Sequence, residues 1–155
     1  MLWQLRARIG YGVARRLFHW SWLVKQPRGW RWLEGQFARR ANLGDVAAQS
    51  FYGHILLFRG QGFGAREEGV RLLRLAASAG DAKAAYQLGA LSLAGDTRQA
   101  ADGLEAARWW TLATAAGHPL AAQRLADLYR EGGPGLPADA ERAARFVRRA
   151  QELGL

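Results

Sequence analysis

A chain of 155 residues that is half hydrophobic and 23% charged is globular rather than disordered, and 22 basic against 13 acidic side chains give it a formal charge of +9. It has no cysteine, which excludes disulfides and thiolate metal sites and fits a reducing compartment. It has no apolar run long enough to span a bilayer, and the stretch after Arg15-Arg16 is too short, and lacks the small-residue cleavage site, for an export signal. A cytoplasmic protein is expected, with the surface of the inner membrane as a further location that its front would fit.

The charge is concentrated. Residues 1–40 carry Arg6, Arg8, Arg15, Arg16, Lys25, Arg28, Arg31, Arg39 and Arg40 against Glu34 alone, and hold five of the seven tryptophans. The front is thus at +8 and the remainder nearly neutral, an asymmetry that suits an anionic partner. Within it, Leu2, Leu5, Ile9, Val13, Leu17, Trp20 and Val24 recur in steps of three and four, which predicts an amphipathic helical segment. Gly10 and Gly12 weaken its middle, at about 1 kcal/mol each relative to alanine, and Pro27 and Gly29 end it. Two readings stand side by side. The stripe caps the open end of the following helices, as repeat arrays require. Or it lies on a membrane or other anionic surface, with Arg6, Arg8, Arg15, Arg16, Trp20 and Trp22 as contacts.

Residues 30–43 read as the second helix of an incomplete leading repeat, with Phe37 seven residues before Gly44. From there Gly44, Gly80, Gly117 and Gly154 recur at intervals of 36, 37 and 37, the spacing of a helical repeat array. Units at 44–80, 81–117 and 118–155 follow. Small residues recur four and nine positions after each glycine (Ala48, Ala84 and Ala121; then Gly53, Gly89 and Ala126), letting the first helix of each unit lie close to its neighbour. Larger ones fill the gaps: Tyr52, Leu88 and Leu125, then Ile55, Leu91 and Leu128. First helices stop near Gly60, Gly95 and Gly132, and second helices are predicted at about 67–79, 103–116 and 139–153. Asp102 and Asp139 stand where an N-cap or first-turn carboxylate serves, with Glu67 and Glu68 acting similarly in the first unit.

The middle unit places Ala84, Leu88, Gly89, Leu91, Gly95, Asp102, Ala106, Trp109, Ala113 and Gly117 at the spacing of the Sel-one-like repeat (SLR), a relative of the tetratricopeptide repeat. The third follows with Ala121, Leu125, Leu128, Tyr129, Gly132, Gly135, Leu136, Asp139, Ala143, Phe146, Ala150 and Gly154, and the first more loosely. The resemblance covers about residues 41–155. The second unit departs from it at Asp96–Ala101, where the Gly-x-Gly-Val element is missing, and the first lacks the aspartate. What the resemblance implies is an all-α fold: a right-handed α/α solenoid of about three SLR helix pairs with an N-terminal helical extension or cap. It also implies an adaptor that holds another protein on its concave side and needs no cofactor.

Catalytic signals are thin. Gly60-Gln61-Gly62-Phe63-Gly64 is glycine-rich, but no strand precedes it and no phosphate-loop lysine follows, so it reads as a turn. His19, His54 and His118 lack metal-ligand spacing. Ser50 and His54 are four apart on one helix, with no third group to orient the histidine. A non-enzymatic protein is expected. If first helices line the concave side, their positions outside the core select Phe51, His54, Gln87, Arg124, Asp127 and Arg130 as partner contacts. No DNA- or RNA-binding motif accompanies the arginines, which speaks against nucleic acid.

Overall fold

A computed structural model describes the backbone of residues 2–155, and the side chains of these except 2–6, 21, 23 and 63. The described residues form nine helices: α1 (Leu2–Leu17), α2 (Ser21–Lys25), α3 (Pro27–Asn42), α4 (Val46–Arg59), α5 (Phe63–Ser78), α6 (Ala82–Ala94), α7 (Gly103–Ala115), α8 (Pro119–Glu131) and α9 (Ala140–Glu152). They fall into two compact units, Met1–Leu72 and Leu73–Leu155, with the boundary inside α5. No described helix is long and apolar enough to cross a membrane.

The recurring glycines have a common backbone reason. Gly44, Gly80, Gly117 and Gly154 all adopt positive φ, between 84° and 102°, where a side chain would be strained. Around Gly80 the amide of Asp81 donates to the Ala76 carbonyl, and around Gly117 that of His118 donates to Ala113. These are the long back-bonds of the Schellman turn, and they satisfy carbonyls that the ending helix leaves open. The residue after the glycine then caps the next helix. Asp45 accepts from the Ala48 amide at 2.8 Å and Asp81 from Ala84 at 2.7 Å. In the third repeat the acceptor is His118 Nδ1, to which the Ala121 amide donates at 3.3 Å. Asp102 and Asp139 cap α7 and α9 as their position in the sequence predicts.

In the second unit α6 packs on α7, α7 on α8 and α8 on α9. Ala84 and Ala121 are fully buried, and Gly89 lies directly against the indole of Trp110. The Trp110 indole N–H donates to the Tyr86 carbonyl at 3.1 Å. The Asp96–Ala101 stretch is not loose: Asp96 Oδ1 accepts from the Arg98 and Gln99 amides at 2.8 and 2.9 Å, and the Asp96 amide donates to the Gln99 carbonyl. An Asx turn thus does locally what the missing glycines do elsewhere.

The first unit closes around Phe37, which meets Tyr11, Phe18 and Phe51 edge to face at 5.2–6.1 Å. Ala14, Leu33, Ala41, Ala48, Ile55, Leu56 and Leu72 complete this core, with Leu17, Val24 and Trp30 packed at its edge. Two expectations change here. Pro27 does mark the end of the N-terminal segment, whose α2 stops at Lys25, but it also opens α3 at its first position, with Gln26 extended before it, and Gly29 lies inside that helix instead of ending one. And α1 runs unbroken through Gly10 and Gly12, with its expected apolar stripe turned largely outward: Ile9 is 61% and Val13 45% exposed. The buried face is Ala7, Tyr11 and Ala14, with Gly10 so close to α3 that an added Cβ would strike the end of the Gln36 side chain. Small residues win because they let α1 approach α3 closely. Leu2 and Leu5 of the stripe lie outside the described side chains.

Candidate functional site

The residues expected to meet a partner divide between the units. In the first, Phe51 is not free: it is half-buried among Tyr11, Phe18 and Phe37, with the Arg15 guanidinium 5.6 Å from its ring centroid. His54 is half-buried and stacks on the exposed Phe58. Its Nδ1–H donates to the Ser50 carbonyl at 2.7 Å. The two residues do share a hydrogen bond, but it runs to the backbone oxygen, which leaves the histidine oriented by its own helix rather than poised on the hydroxyl.

In the second unit Gln87 is half-buried on α6, while Arg124 and Arg130 are exposed on α8. Arg130 donates to Asp127 Oδ1 at 2.8 Å, and both side chains are open to solvent. One turn apart on a helix, such a pair is worth a few tenths of a kcal/mol, about 0.3–0.5. It therefore presents charge more than it stabilises. Beside it a groove of about 330 Å³ runs between α8 and α9. Ala126, Val147, Ala150 and Leu155 give it an apolar floor, and Gln123, Asp127, Arg130 and Gln151 give it a polar rim. The α9 half of this groove lies outside the expected contacts, which fall on first helices only. Its signal is Val147, a medium side chain where the preceding unit has Trp110.

At the front, Arg8, Arg15 and Arg16 are exposed, as are Trp20 and Trp22; Arg6 lies outside the described side chains. Glu34, the one carboxylate of residues 1–40, accepts from the Tyr52 hydroxyl at 3.3 Å. Burial first, and then the Glu34 charge, push the Tyr52 phenol well above its ordinary range. The Tyr11 hydroxyl is buried, and the Arg15 guanidinium approaches without completing a hydrogen bond. Burial raises its pKa against the opposing charge of Arg15. Among the described residues no cluster of three or more histidine, aspartate or glutamate side chains could hold a metal ion.

Comparison with known proteins follows the same register. Residues 46–81, 82–118 and 119–155 each match the family model described as the Sel1 repeat. A crystal structure of a Sel1 repeat protein from Oxalobacter formigenes is 30% identical, with a TM-score of 0.69 over 78% of this chain and 34% of that one. A second, c5321, described as a protective antigen present in uropathogenic Escherichia coli strains and displaying an SLR fold, is 21% identical. It superposes with a TM-score of 0.68 over 79% of this chain and 26% of its own, and shows a shared fold alone. The chain therefore spans about a third or less of either solved relative. No curated protein matches it.

Proposed function

The chain belongs to the Sel1 repeat family, and on that footing we propose that it is a non-enzymatic adaptor whose third repeat grips a protein partner in the α8–α9 groove. The observation that carries the reading is the groove itself. Its apolar floor suits one aliphatic or aromatic anchor, and its rim of Gln123, Asp127, Arg130 and Gln151 suits the polar groups flanking that anchor. Arg124 lies one turn before Asp127 on α8 and extends the rim. Gln87 and His54 supply further polar contacts on the first helices of their own units. Phe51 drops out of the contact set, because its ring serves the first unit's core.

The test is a pull-down with the whole chain against the paired variant Arg124→Glu and Arg130→Glu. Both side chains are exposed, so the variant should melt with wild type. A protein recovered by wild type and lost by the variant, confirmed with that purified protein, supports the groove. Recovery of every partner unchanged would remove the third repeat from the interface.

A further inference from the structure

We propose that helix α1 is a docking surface for an anionic phospholipid bilayer, lying flat with Ile9 and Val13 inserted and its arginines at the headgroups. The observation is that α1 has two apolar arcs and the fold uses only one. Ala7, Gly10, Tyr11 and Ala14 face α3 and the aromatic core. At about 100° per residue, Ile9, Val13 and Arg16 lie on the opposite side of the helix. Ile9 and Val13 are exposed there, unlike the aliphatic residues that the core absorbs. Immediately after α1 the chain exposes two indoles, Trp20 at 64% and Trp22 at 68%. Tryptophan carries an apolar body and one N–H donor, the combination that settles at headgroup level.

Charge selects the occupant. Arg8, Arg16, Lys25 and Arg28 are exposed and form no ion pair among the described residues. The one carboxylate of residues 1–40 is drawn to Tyr52. A segment that is cationic, exposes aliphatic side chains on one helix face and is followed by exposed indoles has the chemistry of an interfacial helix. A nucleic acid would use the arginines and leave Ile9 and Val13 in water. A second copy of the chain would bring its own +8 front against this one.

The experiment is flotation of the full chain with vesicles of phosphatidylcholine alone or mixed equally with phosphatidylglycerol, at low and high salt. Binding is expected to the mixed vesicles only, weakening as salt is added. Arg8→Gln and Arg16→Gln should each lower partitioning about five-fold, the usual worth of one basic side chain near an anionic leaflet. Ile9→Ser with Val13→Ser should lower it about ten-fold or more, because insertion depends on apolar area. These positions are exposed, so unchanged melting of the variants separates lost binding from lost fold. The vesicle and salt comparison needs no variant at all. Failure to float with phosphatidylglycerol at low salt, whether or not the chain binds an oligonucleotide, overturns the proposal. Equal flotation with neutral vesicles overturns it too, as does a dimer in sedimentation that the Ile9→Ser, Val13→Ser variant dissolves.

Discussion

Replacing Gly89 by alanine should destabilise the second unit, although alanine is the better helix former. A Cβ built at Gly89 would lie 2.4 Å from Cδ1 and Nε1 of Trp110 and 2.9 Å from Cε2. Ordinary contact begins near 3.4 Å, so the indole must retreat by about 1 Å, the margin at which overpacking is felt. It has little room, being 3% exposed and tethered through its N–H to the Tyr86 carbonyl. Overpacking costs about 1–3 kcal/mol, and a buried N–H pulled off its acceptor costs about 1–3 kcal/mol more. The gain in helix propensity returns about 1 kcal/mol. The expected net loss is about 1–5 kcal/mol, read as a lower midpoint of urea unfolding by far-UV circular dichroism. The control is a double-mutant cycle with Trp110→Leu, where the shorter side chain leaves room for the new methyl. Coupling of at least about 1 kcal/mol is expected. A Gly89→Ala protein as stable as wild type, or strict additivity in the cycle, would refute the reasoning.

Two further outcomes follow from single polar atoms. Burial first, and then the charge of Lys83, lower the His118 pKa, and its Nδ1 must stay unprotonated to accept from the Ala121 amide. The unfolded chain therefore binds a proton that the folded chain resists, so stability should fall as pH drops below the ordinary histidine value of about 6.5. His118→Asn keeps a cap acceptor and should flatten this part of a melting-temperature profile against pH; an unchanged profile would assign the dependence elsewhere. Tyr11→Phe removes a buried hydroxyl that has no hydrogen bond, and should leave thermal stability equal or raise it by about 1 kcal/mol; a clear loss would mean that the hydroxyl has a partner after all.

The repeats were legible because their constraints are local and recur. A glycine that must turn left-handed, and an alanine that must let two helices touch, can be read from spacing alone. Gly80 with Ala84 and Gly117 with Ala121 do what their positions require. The front was less legible for a physical reason. Helix α1 offers two apolar arcs, and summed hydrophobicity favours the one with Ile9 and Val13. The choice is made by α3, which accepts only the thin face of Ala7, Gly10 and Ala14. Pro27 was ambiguous because proline suits both a boundary and a first turn. Phe51 faces outward by register, but α1 and the turn after it lay Tyr11 and Phe18 against it. Asp45 and Asp81 follow their glycines too closely to be read as loop residues, and their capping role could have been found from that adjacency.

That adjacency has a consequence for how such a chain can change. The corner between repeats is written in two consecutive residues, one that reverses the backbone and one that starts the next helix. It carries no information about what lies on either side. A duplicated stretch such as 82–118 would bring its own corner with it. Growth and loss by whole repeats therefore need no new turn to be invented, whereas a single residue inserted between Gly117 and His118 would part the reversal from the cap. Variation in length is pushed into the loops inside each repeat, where Asp96–Ala101 has already found its own way to close.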